Sequence, residues 1–404
     1  MPNAGAAAGR GPSVMMVTGA YYPETSGAGL QCRSLIRACG DRARFSVLTT
    51  AVDPRLRARD NVDGVPVRRV FVNARSRIAR WLATPRLILS ALDLARDADI
   101  VHLHGYSEKS IVVTLLAWLL RKRIVVKLTS VGHDDPIAVR ARGRLLFETF
   151  RRADRFVAVS PGLEARYRDA GMPPQKLRQI PNGVDLGRFR PASPADRARL
   201  RRDLGLPAQG PLILFVGFFS REKRPDLLFD AWTDSFDASP ASSLVIVGAS
   251  RSDYHEIDSE IAARVREDAA RLGCVNRLTL VEHASSIEQY YRAADIFVLP
   301  STREGLPNAL LEAMACALPP IASRLPGVTD TVIADGTNGF LVEPGDRRAL
   351  ASALRVLLQD SELRTRLGCA ARQTVETSFS LAGVADSYMN LYEELSPCAA
   401  SPAR

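Results

Sequence analysis

Six cysteines are scattered through 404 residues, and no two of them form a CxxC pair. Their positions, Cys32, Cys39, Cys274, Cys316, Cys369 and Cys398, exclude a disulfide scaffold and read as reduced, mostly buried thiols of a cytosolic protein. A catalytic cysteine is a minor reading. Histidine is scarce as well: there are five, none paired at metal-ligand spacing. No long apolar run is present. The most apolar window, Ile111 to Leu120, is ten residues long, whereas a membrane span needs about 20. That window is expected to be a helix inside a domain, in a chain expected to be soluble. The Ala/Gly-rich stretch Met1 to Arg10 lacks the basic region and apolar core of a signal peptide. The dinucleotide fingerprint is incomplete. Gly27-Ala28-Gly29 begins one, but Cys32 stands where the third glycine would fall, and no acid is well placed further on. This argues against a nicotinamide dehydrogenase. No nucleic-acid recognition motif is present either.

Charge is plentiful but uneven. Residues 1–190 hold 32 Lys and Arg against 16 Asp and Glu, while residues 191–404 hold 22 against 28. A basic N-terminal half calls for an anionic partner: nucleic acid, anionic membrane or acidic polysaccharide. The segment Arg68-Arg69-Val70-Phe71, continuing through Arg75, Arg77, Arg80, Trp81 and Arg86, mixes cations with apolar groups as an interfacial surface would. A solvated, Arg-rich face explains it equally well. The expected location is the cytoplasm, with the inner face of the plasma membrane as a peripheral site.

Buried strands alternate with helices along the chain, which predicts α/β architecture with mostly parallel sheets covered on both faces. Strands are expected at Val14 to Thr18, Phe45 to Thr49, Val67 to Val72, Ile100 to Leu103, Ile124 to Leu128 and Phe156 to Ser160. Helices are expected from about Leu30 to Cys39 and at Pro85 to Leu94, Ser110 to Leu120, Arg142 to Arg152 and Gly162 to Asp169. The plan repeats from Leu212 onward, with helices at Glu256 to Leu272, Pro307 to Ala315 and Gly327 to Ile333 among others. The Pro/Asn-rich stretch from Ile180 to Pro191 links the halves. The expected domains are 11–185 and 186–378, followed by a helix at Leu381 to Leu395. Two doubly wound domains so joined leave a cleft between the C-terminal ends of their strands.

The most informative segment is Pro300 to Met314. The apolar strand Asp295-Ile-Phe-Val-Leu-Pro300 runs into a Gly-Pro turn and then a helix, so Glu304 and Glu312 bracket a strand end, a loop and a helix N-terminus. Such a terminus, opening near Pro307, leaves the amides of Leu306, Asn308 and Ala309 free to meet an anion. Glu312 can accept two hydroxyl hydrogen bonds from a ribose, and Glu304, beside Gly305, can hold a sugar hydroxyl. Ordinary acids near a helix start are the bland alternative. Lys223 follows the strand Leu212 to Val216, in the loop beyond its C-terminal end. His133 and Asp134 lie beyond the strand ending at Leu128, at the cleft edge. His104 ends another buried strand and is expected to support the cleft wall, with His102 pointing the opposite way. Gly27 and Gly29 allow close backbone approach to a ligand.

The run Pro-Ser, Glu-Gly-Leu-Pro-Asn and Leu-Leu-Glu-Ala-Met resembles the acidic motif of retaining GT-B glycosyltransferases of family 4, the group that includes bacterial sugar transferases acting on lipids and polysaccharides. The resemblance covers roughly residues 14 to 395. It implies the GT-B fold, with two Rossmann-like domains facing across a cleft, residues 11–185 taking the acceptor, residues 186–378 the nucleotide sugar, and the last helix crossing back onto the first domain. It implies His133, Lys223 and Glu304 as catalytic groups, and Gly27, Gly29, Arg221, Gly305, Leu306, Pro307, Asn308 and Glu312 around the donor. His104 and Asp134 fall on the acceptor side. No obligatory metal and no cofactor is implied, the nucleoside-diphosphate sugar being a co-substrate. A glycan or lipid-linked acceptor is implied, and contact with an anionic membrane is compatible with the basic half. One departure stands out. Phe218 occupies the place after Gly217 that is usually arginine, leaving Arg221 or Arg224 to supply the second positive charge. Asp330 likewise stands where related chains often carry Glu. A catalytically degenerate sugar-nucleotide binder, an epimerase or a phosphorylase on the same fold remain the alternatives.

Overall fold

The computed structural model describes residues 11–24, 26–72, 83–249 and 257–396. The first ten residues, Arg75, Arg77, Arg80, Trp81, Glu256 and Cys398 lie outside the described residues. Two sheets organise the rest. The first contains β1 (Ser13–Thr18), β2 (Arg44–Ala51), β3 (Arg59–Val62), β4 (Val65–Phe71), β5 (Ile100–His104), β6 (Arg123–Leu128), β7 (Arg155–Ala158) and β8 (Leu177–Gln179), in the order β3-β4-β2-β1-β5-β6-β7-β8. The second contains β9 (Leu212–Val216), β10 (Ser243–Val247), β11 (Leu278–Val281), β12 (Ile296–Leu299), β13 (Pro320–Ser323) and β14 (Phe340–Val342), in the order β11-β10-β9-β12-β13-β14. Every pairing is parallel except the edge hairpin β3–β4. Its Asp63-Gly64 turn has positive φ at both residues (55° and 83°), the conformation a two-residue hairpin needs.

Helices α1 (Gly27–Cys39), α2 (Thr84–Ala95), α3 (Glu108–Leu119), α4 (Pro136–Ala141), α5 (Arg144–Phe150) and α6 (Pro161–Asp169) accompany the first sheet. Helices α7 (Pro194–Asp203), α8 (Pro225–Thr233), α9 (Ser259–Arg271), α10 (Ile287–Ala293), α11 (Asn308–Ala315), α12 (Arg347–Gln359), α13 (Ser361–Ser378) and α14 (Leu381–Leu395) follow. Alternation along the strands decides which side each covers. Met15, Val17, Val101, Leu103 and Val126 pack with Leu87 of α2, Val113 of α3 and Phe150 of α5. Val14, Met16 and Val125 pack instead with Leu35 and Ile36 of α1 and with Ala385, Tyr388 and Tyr392 of α14. The last helix thus supplies part of the first domain's core.

The chain crosses between the sheets twice, and the crossings lie side by side. The Val184 amide donates to Phe379 O (2.9 Å) and the Leu381 amide to Val184 O (3.0 Å). A side chain on Gly183 would meet Leu381 Cα at 2.8 Å, so only glycine fits there. Strand order reverses in each sheet beside its first strand, between β1 and β5 and between β9 and β12. Ligand crevices form at such reversals, beyond the C-terminal strand ends.

Several boundaries differ from expectation. The helix expected over Arg142 to Arg152 is two helices, α4 and α5, divided at Gly143 (φ 144°). Gly327 to Ile333 holds only a 3₁₀ turn, Thr329–Thr331. Helix α1 begins at its Ser26 cap, whose hydroxyl accepts from the Gly29 amide (3.1 Å), so Gly27-Ala28-Gly29 is its first turn rather than a loop before it.

Candidate functional site

Loops from the two reversals meet around Glu304. Strand β12 ends at Leu299, and the chain then runs outward to Pro307, which precedes α11. The Glu304 carboxylate is buried and accepts from Lys223 Nζ at 2.6 Å. Lys223 lies in the loop after β9. That loop is tied to its neighbour where the Thr302 amide donates to Glu222 O (2.8 Å) and Arg303 pairs with Glu222 (2.5 Å). Glu304 and Lys223 therefore arrive from two adjacent strands of one sheet, on either side of its reversal.

Helix α11 opens directly behind this pair. The amides of Leu310 and Leu311 bond Pro307 O, whereas those of Asn308 and Ala309 find no acceptor among the described residues. Unpaired amides at a helix start carry partial positive charge suited to phosphate. Glu312, one turn on, accepts from the Tyr291 hydroxyl (2.8 Å). Burial pushes its carboxyl up to about 7, while the Tyr291 hydrogen bond and the Arg188 charge pull the other way.

The first domain supplies the opposite wall at very close range. A Cβ on Gly305 would fall 1.8 Å from Thr129 O, and the Val131 amide donates to Glu304 O (3.3 Å). Asn308 Nδ2 donates to Gly27 O (3.1 Å), and Asn182 Nδ2 donates to Leu306 O and Asn308 Oδ1, each at 2.9 Å. Leu306 and Pro307 are both buried in this junction. Gly27 is exposed beside Asn308, but Gly29 is buried, and a Cβ there would fall 2.2 Å from Ala20 O. The packing of α1 on the loop after β1 accounts for Gly29.

His133 stands exposed in the turn after β6, next to the loop that touches Gly305. Asp134 is fully buried. It accepts from the Thr129 amide and hydroxyl and from the Ser130 amide at 2.7 to 3.0 Å. Burial raises its pKa against the pull of these donors. It shapes the loop that presents His133 and offers no free edge to an acceptor. His104 is also buried, and its two ring nitrogens lack partners among the described residues. The expectation that His102 points away from it is wrong: residues two apart on a strand share a face. Their ring centroids lie 4.4 Å apart, and His102 Nδ1 meets Tyr392 OH at 2.7 Å. Burial keeps both rings neutral, His102 down at about 3 and His104 well below its usual range.

Neither arginine joins the Glu304–Lys223 pair. Arg221 is largely exposed and bonds Asp258 (3.0 Å), and Arg224, at the left-handed start of α8 (φ 53°), folds onto Asp226 (3.1 Å). Asp330 caps its own turn by accepting from the Val328 amide (3.2 Å). Sequence reasoning missed three contributors. Asn182 was read as hinge only. Tyr291 is hidden in an ordinary helical pattern. Lys109, on α3, donates to Thr50 Oγ1 (3.1 Å) at the ends of β1 and β2, and burial lowers it to about 8. A lysine two residues beyond the Ser107 cap gave no sequence signal. No group of three or more His, Cys, Asp or Glu is placed to hold a metal ion among the described residues.

Comparison with known proteins agrees with this geometry. Residues 196–374 match the profile of glycosyl transferases group 1, and residues 25–188 that of glycosyltransferase family 4. A D-inositol 3-phosphate glycosyltransferase from Geodermatophilus obscurus is 32% identical over 313 residues, 73% of this chain and 66% of that protein. One from Kineococcus radiotolerans is 30% identical over 371 residues, 82% of each. The chain thus spans just under two thirds of the first and more of the second. Among solved structures, Anabaena HepE in complex with UDP and glucose superposes with a TM-score of 0.76 at 20% identity, over 94% of this chain and 98% of that one. Sucrose-phosphate synthase from Thermosynechococcus elongatus gives 0.78 at 25% identity, over 96% and 100%. With both halves matched in order and two Rossmann-like domains facing across one cleft, the chain belongs to the bacterial family 4, or group 1, glycosyltransferases of the GT-B fold, a family that works on nucleotide sugars.

Proposed function

We propose that the protein transfers a hexose from a nucleoside-diphosphate sugar to a hydroxyl group with retention of anomeric configuration. The observation that carries this reading is the 2.6 Å Glu304–Lys223 pair beside the unpaired amides of α11. The diphosphate lies on those amides and on Lys223. Glu312 takes the ribose hydroxyls, Glu304 holds a sugar hydroxyl, and His133 approaches the sugar near its anomeric carbon. The bond from that carbon to the phosphate oxygen breaks on the face where the bond to the acceptor oxygen forms. The acceptor's proton passes to the departing phosphate. Catalysis then rests on alignment and charge stabilisation, and domain closure keeps water from hydrolysing the donor.

UDP is the first expectation for the nucleotide, followed by GDP. A structural relative has been solved with UDP and with UDP-glucose, which supports that order. The acceptor is a glycan, a lipid-linked saccharide or a small glycoside. Relatives named for D-inositol 3-phosphate and the cation Lys109 facing the ends of β1 and β2 add a small phosphorylated polyol to the panel. The cytoplasm is the location this reading expects, and Lys223 and the amides of α11 would supply the positive charge without an obligatory metal.

The test is nucleoside-diphosphate release from a panel of UDP-, GDP- and ADP-sugars. Slow hydrolysis that accelerates with acceptor supports a transferase. Tight binding without release would instead mean a degenerate site.

A further inference from the structure

We propose that the outer face of α2, α3 and α5 docks the first domain onto an anionic lipid bilayer. This goes beyond the reading of the cleft and does not depend on it. Helix α3, Glu-Lys-Ser-Ile-Val-Val-Thr-Leu-Leu-Ala-Trp-Leu, is apolar almost all round. Such a helix belongs either inside a core or against a second apolar phase. Val113 and Ala117 face the sheet and are buried, but Leu115, Trp118 and Leu119, at i, i+3 and i+4, face outward. Helices α2 and α5 pack on either side of α3 and add Leu89 and Leu145. Leu119 (70% exposed), Leu89 (67%), Leu145 (64%) and Trp118 (57%) are the four most exposed large apolar side chains among the described residues. All four fall on these three neighbouring helices.

Cations rim the patch. Arg86 stands on α2, Arg121 and Lys122 follow α3, Arg144 opens α5, and Arg152 lies beyond it with its guanidinium 4.6 Å above the Trp118 ring. Arg86, Arg121, Arg144 and Arg152 have no acidic partner among the described residues. The acids on the same helices are already held: Asp93 by Arg68, Glu108 by Arg142 and Glu148 by Arg151. Leucine and tryptophan surrounded by unpaired arginine fit the boundary between acyl chains and anionic headgroups. A second copy of this chain fits poorly, because a symmetric contact would press the two arginine rims together. Helix α3 starts at the cleft and ends in the patch, about 18 Å away for its 12 residues. Docking therefore leaves the cleft open while holding it near the lipid surface.

The experiment is co-sedimentation of the full chain with phosphatidylcholine vesicles, with and without phosphatidylglycerol. Expected is binding to the anionic vesicles alone, weakened by salt. Trp118→Ser combined with Leu119→Ser should lower it about tenfold, and Arg121→Glu with Arg152→Glu should abolish it. Nucleoside-diphosphate release from soluble donor stays unchanged, because none of these residues lies at the cleft. Leu89→Ser with Leu145→Ser provides an independent pair should the first variant unfold. Failure of the parent chain to sediment, or equal sedimentation of both serine variants and the parent, would overturn the proposal. So would a parent dimer that Trp118→Ser converts to monomer, since the face would then be a protein contact.

Discussion

At the scale of single residues, the site balances charge that it must later release. Lys223 and Glu304 neutralise one another at 2.6 Å, so a diphosphate arriving at Lys223 competes with a carboxylate already in place. Lys223→Ala should cut turnover by about 10²–10³-fold. Arg221→Ala, at a side chain turned out to Asp258, should stay within about twofold. Equal turnover for both variants would remove Lys223 from the mechanism. Glu312 gives a pH signature. Its carboxyl is pushed up to about 7 by burial, and ribose hydroxyls bind its ionised form. Donor affinity should therefore fall about tenfold from pH 8 to pH 6, and Glu312→Gln should flatten that profile. Stability has the opposite sign. A carboxyl with a raised pKa favours the fold while protonated, and that contribution is lost as pH rises through 7. Without donor, Glu312→Gln should be more stable than the parent above pH 7, on the order of 1 kcal/mol because Glu312 is only half-buried, and equal to it below about pH 4.5. Thermal melts across that range check the sign. The residue types at these positions were legible because strand, turn and helix follow in unbroken order around them. Contacts made across the cleft, such as Asn182 with Asn308 or Thr129 with Gly305, carry no local pattern and were not.

At the scale of elements, glycine sets how closely the two domains approach. Gly305 lies against the Thr129 backbone. The Gly162 amide donates to Gly327 O (2.7 Å), and a Cβ on Gly327 (φ 71°) would fall 2.6 Å from Gly162. Gly305→Ala should hold the loops apart, lowering turnover at least about tenfold while leaving Tm within a few degrees of the parent. Lost activity accompanied by a large drop in Tm would point to a folding role instead. Strands and amphipathic helices were readable because buried parallel strands are apolar on both faces. Helix α7 was not among those expected, for a physical reason. With Arg197, Arg199, Arg201 and Arg202, it offers almost no apolar stripe, and Arg201 is held instead by Ala293 O and Asp295. Helix α3 was expected inside a domain on composition alone. Its exposed stripe appears only once its neighbours fix which side faces the sheet.

At the scale of the molecule, two side-by-side crossings at Val184 and Ser380 form the joint between the sheets, and α14 binds the end of the chain to the first domain. Its own Tyr388 and Tyr392 are fully buried against that domain. Tyr388→Ala should cost about 3–5 kcal/mol, read as a lower denaturation midpoint of the first domain. An unchanged midpoint would mean that α14 is peripheral. The doubly wound class was legible from alternation, but the landing place of α14 was not, because it is set by the partner surface on α1 and not by the helix's own pattern. The most direct measurement is a crystal structure with UDP bound. The expected result places the β-phosphate within hydrogen-bonding distance of the Asn308 and Ala309 amides, with Lys223 beside it and the ribose on Glu312. A nucleotide bound elsewhere, with Glu304 and Glu312 both turned to bulk water, would contradict the proposed chemistry.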